Sequence, residues 1–306
     1  MVASVQIKRG TRAQIVTAAA ASGLSAGEPY LITDENRLAV GLSATTYQDF
    51  AKQNEISHLS MRNIGEWRVK AGTTTANLTG AHEGFTTSGV TAVARATGGA
   101  STHLTQLMRI GYTSSVTTAG AIAHARLANL PIYMSNGSLA GFFSRFVFCI
   151  TDGAAVAGAR MFLGVSTNYS AGASNVEPST LTNCIGVGHG ASDTTLKIFY
   201  GGSSAQTPID LGANFPADTR STDVYEVLIW NPKGVNNKAY VTVKRYSNTT
   251  GTCIYESTTE LTAATVGVQL PNSGQSMSPF WAYRTNNATA LGVAFDLIAH
   301  SFGSMI

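Results

Sequence analysis

The chain has 306 residues, enough for two domains with separate cores. Charged residues make up only 12% of it, about half the share usual in soluble domains. The 20 basic and 17 acidic residues leave a net charge of +3, too thin an excess for a nucleic-acid binder. Hydrophobic residues at 44% rule out a disordered tail, and a surface so poor in charge suits a chain that assembles with other copies.

The first 60 residues read as strand, helix and hairpin. Thr11 followed by Gln14 is a capping box, the alanine run to Ala21 propagates the helix, and Gly23 is expected to supply its left-handed stop. The basic pair Lys8 and Arg9 before Ile15 to Ala21 imitates a signal peptide, but a capped helix explains the same residues better. No run of about 18 strongly apolar residues occurs, so no membrane-inserting segment is expected. Glu28 to Thr33 and Arg37 to Leu42 form two β-like runs about the turn formers Asp34, Glu35 and Asn36, with Tyr47 and Phe50 placed to cover their apolar face.

The middle stretch, 61–130, is rich in Gly, Thr, Ser and Ala and reads either as a linking β layer or as the early strands of a second domain. From 131 to 306 the pattern is strongly β. Gly141 to Thr151 is apolar on one face and mostly apolar on the other, as a strand buried on both sides would be. Short strands recur, separated by Gly, Pro, Asn and Ser clusters, and Ala290 to His300 is apolar enough for a central strand. The fold expected is mainly β: a small αβ module followed by an antiparallel β-sandwich of jelly-roll, concanavalin-like type.

Two resemblances sharpen this reading. Ile7-Lys8-Arg9-Gly10-Thr11, Ala26-Gly27-Glu28-Pro29-Tyr30, Thr33-Asp34 and Arg37-Leu38-Ala39-Val40-Gly41 resemble a module that opens tail-fibre and tropism proteins of tailed bacteriophages. Asp152-Gly153-Ala154-Ala155, Asn175-Val176-Glu177-Pro178 and Arg284-Thr285-Asn286-Asn287 are similar to stretches of phage and prophage tail proteins with a lectin-like jelly roll. The first resemblance implies a virion-attachment module in which Arg9, Gly10, Thr11, Gly27, Glu28 and Gly41 are the defining positions. Together they imply a homotrimeric tail-fibre or receptor-binding protein of the virion, assembled in the host cytoplasm, with other tail or baseplate proteins and a host receptor, saccharide or protein, as partners.

The chemistry of an enzyme is not expected. A glycan-cleaving site needs two convergent carboxylates, and Glu177, Asp193, Asp210, Glu226, Glu256 and Asp296 occur singly. Asp296, in an apolar strand, needs a cation, for which Arg145 or Arg284 would serve. The histidines show no ligand spacing, and Cys149, Cys184 and Cys253 read as buried free thiols, so no metal or cofactor is expected. Saccharide recognition wants aromatic faces beside amides and hydroxyls. Two loops offer them: Asn168 and Tyr169 with Asn175, and Asn236 and Asn237 near Tyr246. Trp230, Trp281 and Tyr283 read as core. A purely structural collar, baseplate or decoration role and, behind it, a glycan depolymerase are the alternatives.

Overall fold

The computed structural model describes residues 7–33, 37–50, 62–68, 85–87, 90–95, 102–127, 132–137, 140–168 and 175–304; the expected turn at Asp34 to Asn36 and Tyr169 lie outside these. The chain divides into two compact units, Met1–Ser60 and Met61–Ile306.

In the first unit β1 (Lys8–Gly10), α1 (Arg12–Ala20), β2 (Pro29–Ile32), β3 (Arg37–Gly41) and β4 (Tyr47–Asp49) form a four-stranded sheet in the order β1-β2-β3-β4 with one helix on it. Only β1 and β2 pair in parallel, which the intervening helix allows. The capping box is present: Gln14 donates its N–H to the Thr11 hydroxyl at 3.3 Å, and the Thr11 N–H donates to the Gln14 amide oxygen at 2.9 Å. The left-handed residue at the other end is Ser22 (φ 57°), not Gly23. Gly23 closes the helix differently. Its N–H reaches the Ala18 carbonyl at 2.7 Å, and a Cβ there would lie 3.2 Å from that oxygen. Ile15 and Ala19 meet Tyr30, Ile32 and Ala39 of the sheet in a small core onto which Tyr47 packs, whereas Phe50 remains 52% exposed.

The second unit contains β5 (Arg62–Arg68), β6 (Phe85–Thr87), β7 (Val90–Arg95), α2 (His103–Gln106), β8 (Arg109–Ser114), β9 (Ala121–Leu127), β10 (Ile132–Tyr133), β11 (Phe142–Ile150), β12 (Arg160–Ser166), β13 (Cys184–His189), β14 (Lys197–Gly201), β15 (Ile209–Asp210), β16 (Asp223–Asn231), β17 (Lys238–Ser247), β18 (Cys253–Thr262), β19 (Ser276–Asn286) and β20 (Ala294–Ser304). One sheet runs β15-β14-β13-β12-β19-β9-β6 with β10 also on β19; the other runs β18-β17-β16-β11-β20-β8-β7 with β5 also on β20. Every pairing between these strands is antiparallel. The chain is thus mainly β, with an antiparallel sandwich of jelly-roll type. The stretch 61–130 supplies β5 to β9, strands of both sheets.

Alternation explains the core. Phe142, Phe146, Phe148 and Ile150 of β11 point between the sheets with Leu163 and Val165 of β12, Ile185 and Val187 of β13, and Val227 and Ile229 of β16. The other face of β11 is covered as well: Phe143 lies with Trp230, and Val147 and Cys149 lie under Leu104 of α2. Trp281 and Tyr283 are buried with Phe162, Phe199 and Cys184 on the outer face of the first sheet, where Val176 and Leu181 cover them. Cys253 departs from expectation: its thiol is free but exposed, because it opens the edge strand β18. The final strand begins at Ala294, four residues later than the apolar run, and lies between β11 on one side and β8 and β5 on the other.

Asp296 is buried, but neither expected arginine serves it. Arg109 reaches it at 2.8 Å and Arg95 at 3.5 Å, and Thr151 donates its hydroxyl at 2.7 Å. Asp296 stands opposite Gly111 on β8, where a Cβ would lie 2.6 Å from the Arg95 Nε. The missing side chain lets Arg95 lie across the sheet. Arg145 is taken instead by Glu226 and Arg284 by Asp152, each at 2.5 Å.

Candidate functional site

The sandwich has two poles. At the first, β11 and β19 begin and the β16–β17 hairpin turns, joined by the Ser144 hydroxyl donating to the Pro279 carbonyl at 2.5 Å. At the second, β11 and β19 end, and Arg284 binds Asp152. The residues of the two loops read from sequence as candidate saccharide contacts divide between these poles. Asn236 and Asn237 occupy the hairpin turn at the first pole, while Tyr246 lies near the far end of β17, roughly 30 Å along the strand at about 3.3 Å per residue. Asn168 lies two residues past the end of β12, its N–H on the Ser166 hydroxyl at 2.9 Å; Asn175 binds Arg160 at the start of that strand. Asn168 and Asn175 thus lie towards opposite ends of β12, and Asn236 and Asn237 at the opposite end of β17 from Tyr246.

The second pole is internally paired. Arg160 donates to Glu177 at 2.5 Å, to Asn175 at 3.1 Å and to Asn287, and Asn287 donates to Asn175. Lys197 binds Asp193 at 2.6 Å, and the Asp193 carboxylate also accepts the Gly190 N–H at 2.7 Å. This ion pair holds the Lys197 ammonium above its ordinary range. Behind them Arg284 donates to both Asp152 oxygens and to His189 Nε2 at 2.7 Å, while His189 Nδ1 lies 3.1 Å from the Gly190 carbonyl. An arginine on Nε2 and a carbonyl on Nδ1 fix the neutral Nδ1–H tautomer. Burial first, and Arg284 second, push the His189 pKa down to about 3. Tyr246, also at this pole, donates its hydroxyl to Glu226 at 2.6 Å. The acids weighed from sequence are likewise held: Asp210 by Thr195 and the Gly212 N–H, and Glu256 by Lys244. Among the described residues no group of three or more His, Cys, Asp or Glu is arranged to hold a metal ion.

The first pole differs in chemistry. Its scaffold is the fully buried Asn231, which accepts the Ser135 N–H at 2.6 Å and donates to the Val235 and Lys238 carbonyls at 2.7 Å each. Ser135 in turn accepts the Gly234 N–H on its hydroxyl at 2.9 Å, and its carbonyl accepts the Ser273 hydroxyl at 2.9 Å. Three loops are thereby pinned together. Above this scaffold the side-chain amides of Asn236 and Asn237 make no hydrogen bond among the described residues, and Asn136 is held only through its oxygen, by Ser273 at 3.2 Å. Tyr133, on β10 at the same pole, leaves 43% of its surface exposed. Sequence reasoning missed Tyr133 and Asn136. The Asn-Gly dipeptide at 136–137 and an aromatic alternating with buried Ile132 and Met134 were the signals that could have found them.

In the first unit the expected module positions do structural work. Gly27 has φ +78°, and a Cβ on Gly41 would lie 2.2 Å from the Ser25 carbonyl oxygen. Glu28 accepts from Lys8 at 2.9 Å and from the Tyr30 hydroxyl at 2.6 Å, while Gly10 and Thr11 join β1 to α1 and Arg9 is exposed.

No protein-family model matches the chain, and no curated protein matches its sequence. Among solved structures, lectin II from Ulex europaeus is similar over 80% of this chain and 100% of its own, at 15% identity and a TM-score of 0.47. Peanut lectin with a nine-residue peptide bound is similar over 79% and 97%, at 11% and 0.46. A carbohydrate esterase of the Shiga toxin-encoding bacteriophage phi24B is similar over 79% and 97%, at 13% and 0.42. With similarity this low, the fold assignment rests on the strand pairing.

Proposed function

We propose that the chain is a tail-fibre or receptor-binding protein of a bacteriophage virion, and that its second unit binds a saccharide of the host surface through the first pole. The observation that carries this reading is the pair of uncommitted amides, Asn236 and Asn237, held together with Asn136 on a rigid hydrogen-bonded base at the pole where Tyr133 is exposed. Amides offer a donor and an acceptor to each sugar hydroxyl, an aromatic face covers the apolar side of the ring, and prior immobilisation of the loops spares ordering entropy on binding. Among the described residues of this pole Lys238 is neutralised by Glu260 at 2.5 Å and Lys233 is exposed, a charge balance that suits an uncharged glycan. At the second pole Glu177 and Asp193 are each held by a cation, and His189 and Lys197 are both displaced away from neutrality. That is a poor arrangement for proton transfer at neutral pH and supports binding without hydrolysis.

The first unit supports attachment to other tail or baseplate proteins. Ile7, Leu38, Leu42 and Phe50, large apolar residues on so small a module, are all exposed. Together with the shortage of charge, this favours a homotrimer.

The test is binding of the purified full chain to an array of bacterial surface polysaccharides, with Asn236→Ala and Asn237→Ala as variants. Selective binding that falls at least tenfold in either variant, about 1.4 kcal/mol, supports the reading. Absence of binding to any polysaccharide, with no block of phage adsorption, favours a purely structural collar or baseplate role. Released reducing ends would mark a depolymerase.

A further inference from the structure

We propose that Asn136 is a self-modification site, converting to aspartate and isoaspartate through a cyclic imide closed by the Gly137 backbone nitrogen. The chain contains two Asx-Gly steps in its described residues, Asn136-Gly137 and Asp152-Gly153, and their surroundings are opposite. Asn136 and Gly137 are both exposed, Gly137 has φ +59°, and no heavy atom outside its chain neighbours lies within 4 Å of where a Cβ would stand, so no side chain hinders approach of the Gly137 nitrogen to the Asn136 amide from that side. The Ser273 hydroxyl, shared between the Ser135 carbonyl at 2.9 Å and Asn136 Oδ1 at 3.2 Å, touches only the amide oxygen, and no acceptor among the described residues holds the departing Nδ2. In the reaction the Gly137 N to Asn136 Cγ bond forms and the Cγ–Nδ2 bond breaks. The amide nitrogen leaves as ammonia with the proton that Gly137 gives up. One water then opens the ring at either carbonyl, and no oxidant or reductant takes part.

Asp152 is kept from the same chemistry although Gly153 is equally unshielded. Both of its oxygens accept from Arg284, and Oδ1 also accepts the Ala294 N–H at 2.6 Å. An ionised carboxylate so held has no neutral leaving group and cannot turn toward the next backbone nitrogen. Asn272-Ser273 is protected in another way, since the Ser273 N–H already donates to Asn272 Oδ1 at 2.9 Å. The chemistry needs no saccharide, but it falls on an amide of the surface proposed above to bind one, which it would convert to a carboxylate.

The experiment is peptide mapping by mass spectrometry of the full folded chain held warm at mildly alkaline pH. The expected result is conversion at Asn136 to a mixture of aspartyl and isoaspartyl peptides, with Asp152 and Asn272 unchanged, and loss of that conversion in Asn136→Gln and in Gly137→Ala. In urea at mildly acidic pH, where the Asp152 carboxyl is released from Arg284 and partly protonated, isoaspartate should also emerge there. The proposal is overturned if Asn136 stays intact in the folded chain, or reacts no faster than Asn272.

Discussion

His124, His189 and His300 are all enclosed in the second unit, and burial pushes their pKa values down to about 4, 3 and 3 respectively. In the unfolded chain each takes a proton near its ordinary 6.5, so between that value and 3 to 4 the unfolded state binds more protons than the folded one. Stability is therefore complete above about pH 6.5 and falls as the pH drops through this window, at roughly 1.4 kcal/mol per pH unit for each histidine that remains neutral. Urea denaturation at a series of pH values should show the midpoint moving to lower urea on acidification below about 6.5, with a shallower dependence in His124→Gln. A midpoint flat from about pH 7 to 5 would contradict it. The Asp152–Arg284 pair makes a second claim on single residues. Asp152→Ala leaves a guanidinium of 1% exposure facing only the neutral partners His189 and Met161, and such broken buried pairs cost about 3–5 kcal/mol. The same measurement at neutral pH reads that loss.

The elements legible in the sequence were those whose signal is local. The capping box at Thr11, the doubly buried β11 and the β2–β3 hairpin each follow from the spacing of a few neighbouring residues. What escaped was set by residues far apart in the chain. The cations of Asp296 come from β7 and β8, about 190 residues earlier, because Gly111 leaves room there. Likewise Asn236 and Tyr246, ten residues apart, stand at opposite poles because a fully extended strand separates them. Asn136 joined the candidate surface only through Ser135, Asn231 and Ser273, which no periodicity reveals. Glycine placement gives a prediction for the first unit. Gly41→Ala puts a methyl group 2.2 Å from the Ser25 oxygen, so the β2–β3 hairpin must open. Hydrogen exchange at Gly27 and Gly41, whose N–H groups donate to Gly41 and Glu28 respectively, should quicken markedly while exchange in β11 stays unchanged.

Assembly is the question for the whole molecule. With 12% of its residues charged, the chain lacks much of the self-repulsion that keeps a protein monomeric. β18 adds an edge of ten residues without lysine or proline, on which Ile254 and Tyr255 are each 41% exposed. Natural edges are commonly guarded by such residues; this one carries only Glu256 and Glu260, each paired with a lysine of β17, and the trimer proposed above would cover it. Mass photometry of the purified chain should give a peak at three times 32.0 kDa, and a monomer alone at micromolar concentration would count against the trimer.

β20 binds β11 along its length and also takes β5 and β8, from the opposite end of the sequence. During translation those three strands emerge long before the partner that unites them. They must wait with open edges until Ser304 has left the ribosome. Premature termination before Ala294 would thus leave a chain with a divided sheet, a ready substrate for proteases and chaperones.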